Sequence, residues 1–132
     1  MTFKKLYLLF LLISSCYGYA QTDCAAFKNG TFTFTDKNNR NYTIIRDGDK
    51  QTEKIEDEQE VYEFTIKWTD SCTYTVTPTA TTIKKNKAIL KLGTMTVKIT
   101  PKTDTSYVQL VRVANSPKFK RRDEVFVVKE DK

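Results

Sequence analysis

Apolar and polar side chains alternate with a period of two through most of this chain, and that alternation predicts strands. The clearest case is Val61–Trp68. Tyr62, Phe64, Ile66 and Trp68 fall on one face there, and Glu63, Thr65 and Lys67 on the other. Thr69-Asp70-Ser71 connects this run to Cys72–Thr77, in which Cys72, Tyr74 and Val76 alternate with threonines. Setting Trp68 opposite Cys72 brings Ile66 to Tyr74 and Phe64 to Val76. Both strands then turn their apolar sets to one side, with Cys72 on the core face beside Trp68.

The rest of the chain reads in the same way. Asp23 is placed to cap a short helical turn over Ala25-Ala26-Phe27, stopped by Asn29-Gly30. Thr31–Thr35 is a strand with Phe32 and Phe34 on one face, and polar turn residues from Asp36 to Asn41 lead into Tyr42–Arg46. Asp47-Gly48 makes a hairpin turn into a weaker, charged run near Gln51–Ile55. Pro78 to Lys87 is a Thr- and Lys-rich connection, and Ala88–Leu92 is a short apolar run ended by Gly93. Thr94–Thr100 and Ser106–Ala114 follow as strands, with Glu124–Val128 last. No long helix and no repeat emerges. The pattern predicts an all-β fold of about eight short strands in an antiparallel up-and-down order. Closure into a small barrel hides the edges that a sandwich would leave. An immunoglobulin sandwich is disfavoured, because the one tryptophan lies just before the second cysteine of the pair rather than shortly after the first.

The first twenty residues follow a different pattern. Lys4 and Lys5 precede an unbroken apolar run from Leu6 to Ile13, and Gly18-Tyr19-Ala20 places small residues ahead of a break at Gln21. This is the layout of a secretory signal peptide. It predicts a leader over residues 1–20 and one exported domain, periplasmic or secreted, over residues 21–132. Ile13-Ser14-Ser15-Cys16 also has the residue types of a lipoprotein processing box, so a lipid anchor on Cys16 is the alternative. Either route leaves Cys24 and Cys72 as an even pair. No Cys-x-x-Cys spacing is present to lower a thiol pKa, so the pair is expected to be a structural disulfide. Closing a loop of that length stabilises a small domain by ~4 kcal/mol in the chain-entropy model.

Candidate chemistry is sparse. The chain has no histidine, which removes the commonest general base, triad partner and zinc ligand. No metal or cofactor is expected, and an enzyme is disfavoured. Glu56, Glu60 and Glu63 have the residue type of a carboxylate pair but cluster on or beside an exposed tip, where solvation accounts for them. Charge is unevenly placed. Residues 21–83 carry 7 basic and 11 acidic side chains, and residues 84–132 carry 13 and 5. Lys118, Lys120, Arg121 and Arg122, with Phe119 among them, form a candidate patch for an anionic partner such as an envelope polymer or a lipid surface. No nucleic-acid fingerprint is present, and none is expected in an exported protein.

Cys24-Ala25-Ala26-Phe27-Lys28-Asn29-Gly30-Thr31-Phe32 and the later Trp68-Thr69-Asp70-Ser71-Cys72-Thr73-Tyr74 resemble a group of short exported bacterial proteins of unknown function. Those proteins share a Cys-x-x-Phe-x-x-Gly-x-Phe start and a Trp-x-x-x-Cys-x-Tyr hairpin. The resemblance implies a fold and no activity. Gly30-Thr31-Phe32 after a short turn is also loosely similar to the Gly-x-Trp start of lipocalins, with Phe in place of Trp and no arginine assigned to that family's closing position. A lipocalin-like barrel is therefore expected. The leading function is a non-catalytic binding or interaction module of the cell envelope, with an unknown protein or a small apolar ligand as its partner; a small apolar-ligand carrier and a ligand-free structural component are the alternatives. Phe32, Phe34, Tyr62, Phe64, Trp68 and Tyr74 are the candidate ligand or core lining.

Overall fold

Alternation carries eight strands into one antiparallel ring: β1 (Gly30–Thr35), β2 (Asn41–Asp47), β3 (Lys50–Ile55), β4 (Val61–Trp68), β5 (Thr73–Pro78), β6 (Met95–Thr103), β7 (Ser106–Val113) and β8 (Arg121–Val127). Each pairs with its sequence neighbours, and β8 returns to β1 to close the barrel. The computed structural model describes residues 23–129; the expected leader, Cys16 included, and residues 130–132 lie outside them. The strands are short, as the sequence predicts, and most of their outward positions are polar: Thr65, Lys67, Lys98, Arg112, Arg122 and Glu124 are all exposed, with Ile45, Val108, Leu110 and Phe126 among the apolar exceptions. An outer wall of this kind faces water; a lipid-spanning barrel presents an apolar band instead. Among the described residues no helix is long and apolar enough to cross a membrane.

Inward positions build the core. Phe32, Phe34, Ile44, Phe64, Ile66, Tyr74, Val97, Ile99, Tyr107 and Val125 are buried. Cys24 and Cys72 form the expected disulfide, with Cα atoms 5.2 Å apart. Asp23 plays its expected part: its carboxylate accepts the Ala25 N–H (2.9 Å) at the head of a 3-10 turn, Ala25–Phe27. The strand connections divide the barrel into two ends. The 3-10 turn, the Gly48-Asp49 turn and the disulfide lie at one end, and the connections β1–β2, β3–β4, β5–β6 and β7–β8 at the other.

Three expectations are corrected. First, the β4–β5 register is shifted by two residues, with Trp68 opposite Tyr74, Ile66 opposite Val76 and Phe64 opposite Pro78. The shift keeps every side chain on its predicted face, because the period is two. Its cause is a wider turn. Thr69 N–H bonds to the Thr73 carbonyl (2.9 Å), and Asp70 accepts the Cys72 N–H (2.9 Å), which takes Cys72 out of the β4 ladder. The Cys72 carbonyl pairs instead with Ile99 N–H on β6 (2.8 Å).

Second, the Thr- and Lys-rich connection is helical. Ala80–Lys85 forms α1, and Lys87–Leu92 forms a second 3-10 turn. Thr79 caps α1 by accepting the Thr82 N–H, and the buried Thr82 hydroxyl both donates to the Glu63 carbonyl and accepts the Glu63 N–H, each at 2.8 Å. The cap and this docking onto β4 outweigh the weak helix propensity of threonine. Third, β8 begins at Arg121 rather than Glu124, which changes the basic cluster, as described next.

Candidate functional site

The barrel is plugged at one end and hollow at the other. At the plugged end Phe27 packs on Tyr107 with ring centroids 5.0 Å apart, and Phe32 meets the same ring edge-on at 5.7 Å. Arg46, 2% exposed, sits among them. Its guanidinium donates to the Tyr107 hydroxyl (2.6 Å), the Tyr74 hydroxyl (3.0 Å), the Phe27 carbonyl (3.2 Å) and Gln51 Oε1 (3.4 Å). It also lies 4.2 Å from the Phe32 ring centroid, a cation–π contact in a desolvated place. Burial holds the Tyr74 and Tyr107 phenols well above their ordinary pKa, against the pull of the Arg46 charge, so both stay neutral.

Above this plug lies a cavity of about 230 Å³. Part of its lining is apolar, from Val76, Val97, Val111, Val113, Leu92 and Phe119. The rest is polar. Gln51 and Glu53 reach in from β3, Gln109 from β7 and Arg121 from β8, with the Tyr74 ring beside them. Two short hydrogen-bond chains order these groups. Asp123 Oδ2 accepts from both Arg121 Nε and Gln109 Nε2, each at 2.9 Å. Gln51 links the plug to the cavity lining, since its carbonyl accepts from Arg46 and its amide donates to Glu53 Oε1 (3.3 Å). Glu53 lies deep in the barrel yet keeps accessible surface, because it faces the cavity. Burial raises its carboxyl pKa, with the Arg121 and Arg46 charges opposing. The lining therefore offers a carboxyl, a guanidinium and two amides beside apolar side chains along one shaft.

The residues singled out from the sequence divide. Phe64 and Tyr74 line the cavity. Phe32 lies under Arg46, and Phe34 stacks on Tyr42 at 4.6 Å, so both are core. Tyr62 is half-buried with its hydroxyl 3.4 Å from Glu58. Trp68 is also half-buried, packed on Tyr74 (4.8 Å) with the Lys28 ammonium 5.0 Å above its ring. Glu56 and Glu60 are exposed, and Glu63 pairs with Lys50 across the wall (3.4 Å).

The basic cluster is not one surface patch. Because β8 starts at Arg121, alternation sends Arg121 inward to Asp123 and Arg122 outward, while Lys118 and Lys120 stay exposed in the β7–β8 connection. Arg46, Gln51, Glu53, Gln109 and Asp123 are the site residues that the sequence reading passed over. The available signal was parity. Arg46 shares its face with Ile44, Gln109 with Tyr107 and Val111, and Asp123 with Val125. Comparison with protein-family models, with curated proteins and with solved structures returns no match.

Proposed function

We propose that this protein is a non-catalytic binding module that takes a small molecule, or the end of a longer one, into the open end of its barrel. The cavity supports this reading most directly: a shaft of about 230 Å³ is lined by apolar side chains together with Gln51, Glu53, Gln109 and Arg121. Its volume lies below the ~300–1,000 Å³ of drug-sized sites and above the ~150 Å³ apolar cavity that admits benzene. A single ring or a short alkyl chain with one polar head suits it. The shaft would bury the body of such a ligand, and Glu53, Gln109 and Arg121 would fix its head by hydrogen bonds. The disulfide and the expected leader favour an oxidising, extracytoplasmic setting.

The test is a panel of short alkyl and aryl amines, alcohols and carboxylates, read by thermal shift against wild type and Val111→Phe. Val111 is buried and lines the shaft, so the added ring occupies it. A ligand at a hundred times its Kd stabilises by ~2.7 kcal/mol. The expected result is that one head-group class stabilises wild type and leaves Val111→Phe unmoved. No stabilisation by any class, or equal stabilisation of both proteins, would overturn the reading.

A further inference from the structure

The mouth of the barrel carries apolar side chains that it does not bury. Leu90 is 57% exposed, Phe119 44% and Leu92 37%. They are held on ordered turns. Leu90 and Leu92 belong to the second 3-10 turn, and Phe119 N–H bonds back to the Ser116 carbonyl at 2.9 Å. Asn115 joins the two segments: its backbone N–H donates to the Leu92 carbonyl (3.0 Å) and its side-chain amide to the Lys91 carbonyl (2.9 Å). Gly93 makes this approach possible, since a Cβ there would lie 2.9 Å from the Asn115 side chain and its φ is +72°. The fold thus places three large apolar groups on one corner of the rim, where a water-soluble surface does not need them.

The two connections that carry them hold charge of one sign, whereas the acidic β3–β4 connection, with Glu56, Asp57, Glu58 and Glu60, is a separate part of the same end. From Ser71 to Arg122 the sequence has 11 basic residues and a single acid, Asp104, which turns β6 into β7 at the opposite end of the barrel. Lys84, Lys87 and Lys91 on the β5–β6 connection and Lys118 and Lys120 beside Phe119 are exposed, and among the described residues none of them forms an ion pair. We propose that this corner of the open end docks on an anionic lipid bilayer, with Leu90, Leu92 and Phe119 entering the headgroup layer and the lysines meeting lipid phosphates. Lysine suits the role, because its long apolar stem lies along a membrane surface while the ammonium reaches a phosphate. A second copy of the chain is opposed on the same ground, since a self-complementary contact would bring these lysines together. Lysine is also depleted from protein–protein interfaces. Leu92 and Phe119 also line the cavity, so this corner adjoins it, while Leu90 lies outside the lining.

Co-sedimentation with phosphatidylcholine vesicles, with and without phosphatidylglycerol, tests the surface directly. Wild type should partition at least about tenfold more strongly onto the anionic vesicles, and the preference should fade as salt shortens the Debye length from ~10 Å at 0.1 M to ~3 Å at 1 M. Leu90→Ser/Phe119→Ser should lose binding by about tenfold at low salt, and Lys87→Ser/Lys91→Ser/Lys118→Ser/Lys120→Ser should lose the lipid preference. Leu90→Trp supplies a readout that needs no destabilising change. Its emission should shift blue on anionic vesicles and be quenched by brominated lipid, while Trp68, near the plugged end, is unaffected. Equal sedimentation on both vesicle types, a Leu90→Ser/Phe119→Ser protein that binds like wild type, an unshifted Leu90→Trp emission, or a wild-type dimer dissolved by Leu90→Ser would each overturn the proposal.

Discussion

Replacing Arg46 by Met asks how much of this domain's stability depends on one buried cation. The change strands the Tyr74 and Tyr107 hydroxyls and the Phe27 carbonyl, all on residues no more than 3% exposed, and leaves Gln51 Oε1 with one donor fewer. Each stranded buried acceptor costs ~1–3 kcal/mol, and loss of the cation–π contact with Phe32 costs up to ~2 kcal/mol. Against this, a guanidinium no longer has to be desolvated, which returns several kcal/mol. The net expectation is a loss of ~3–5 kcal/mol, because three stranded acceptors at ~1–3 kcal/mol each exceed what the relieved desolvation returns. For a domain of this size that lowers Tm by roughly 12–20 °C. Urea unfolding followed by tyrosine and tryptophan fluorescence, with the disulfide intact in every sample, gives the number. Arg46→Lys is the informative second variant. An ammonium keeps the charge but cannot spread it over a planar fork to two hydroxyls and a carbonyl, so it should restore less than half of the loss. An Arg46→Met protein within ~0.5 kcal/mol of wild type, the scatter of an ordinary surface substitution, would refute the account. It would mean that the desolvation cost of the guanidinium balances everything it holds.

Two further outcomes follow from groups already placed. Burial raises the folded-state pKa of Glu53 above its ordinary 4.5, so folding favours its protonated form and its contribution to stability is lost as pH rises through the raised value. Glu53→Gln, which cannot ionise, should match wild type below pH 4.5 and exceed it increasingly above, as measured by thermal melts across pH; a difference that grows toward acid would reverse the sign and sink the assignment. Trp68 is half-buried with a cation over its ring, so its emission should lie between core and solvent positions. Trp68→Ala should cost roughly half of the ~3–5 kcal/mol of a fully buried aromatic, and a full-sized loss would place the side chain deeper than β4 and β5 allow.

The wall of the barrel was legible because its alternation is written in Thr, Lys, Phe, Tyr and Val. Val61–Trp68 was bounded as observed, and the Cys24–Cys72 pair followed from the expected leader, cysteine parity and the lack of a Cys-x-x-Cys spacing. The β4–β5 register was not, because turn length depends on hydrogen bonds made by Asp70 and Thr73 that composition does not reveal. α1 was hidden by its threonines, since only the docking of Thr82 onto Glu63 makes a helix of them. The polar lining of the cavity was the least visible part. Reading every inward position as apolar sends Gln51, Glu53, Gln109 and Asp123 out to solvent. In this barrel polar side chains point inward and satisfy one another there. The apolar mouth was half visible, in that Phe119 stood out among its lysines while Leu90 and Leu92 read as part of a run.

The seam between the first and last strands also bears on how the ring comes into being. Elsewhere each strand lies beside its immediate predecessor, whereas β1 and β8 meet across nearly the whole described chain, through Phe32 with Val127 and Thr33 with Phe126, extended by Val128 N–H to the Thr31 carbonyl (2.9 Å). Local hairpins form early, and contacts between distant segments form late. A chain emerging amino-terminus first must therefore hold a seven-strand open sheet, with β1 as a bare edge, until β8 arrives. Phe126 is outward-facing and half exposed beside that seam. During this interval two unfinished chains can complete each other's rings by exchanging β8, so the yield of monomer depends on concentration during folding rather than on the stability of the finished barrel.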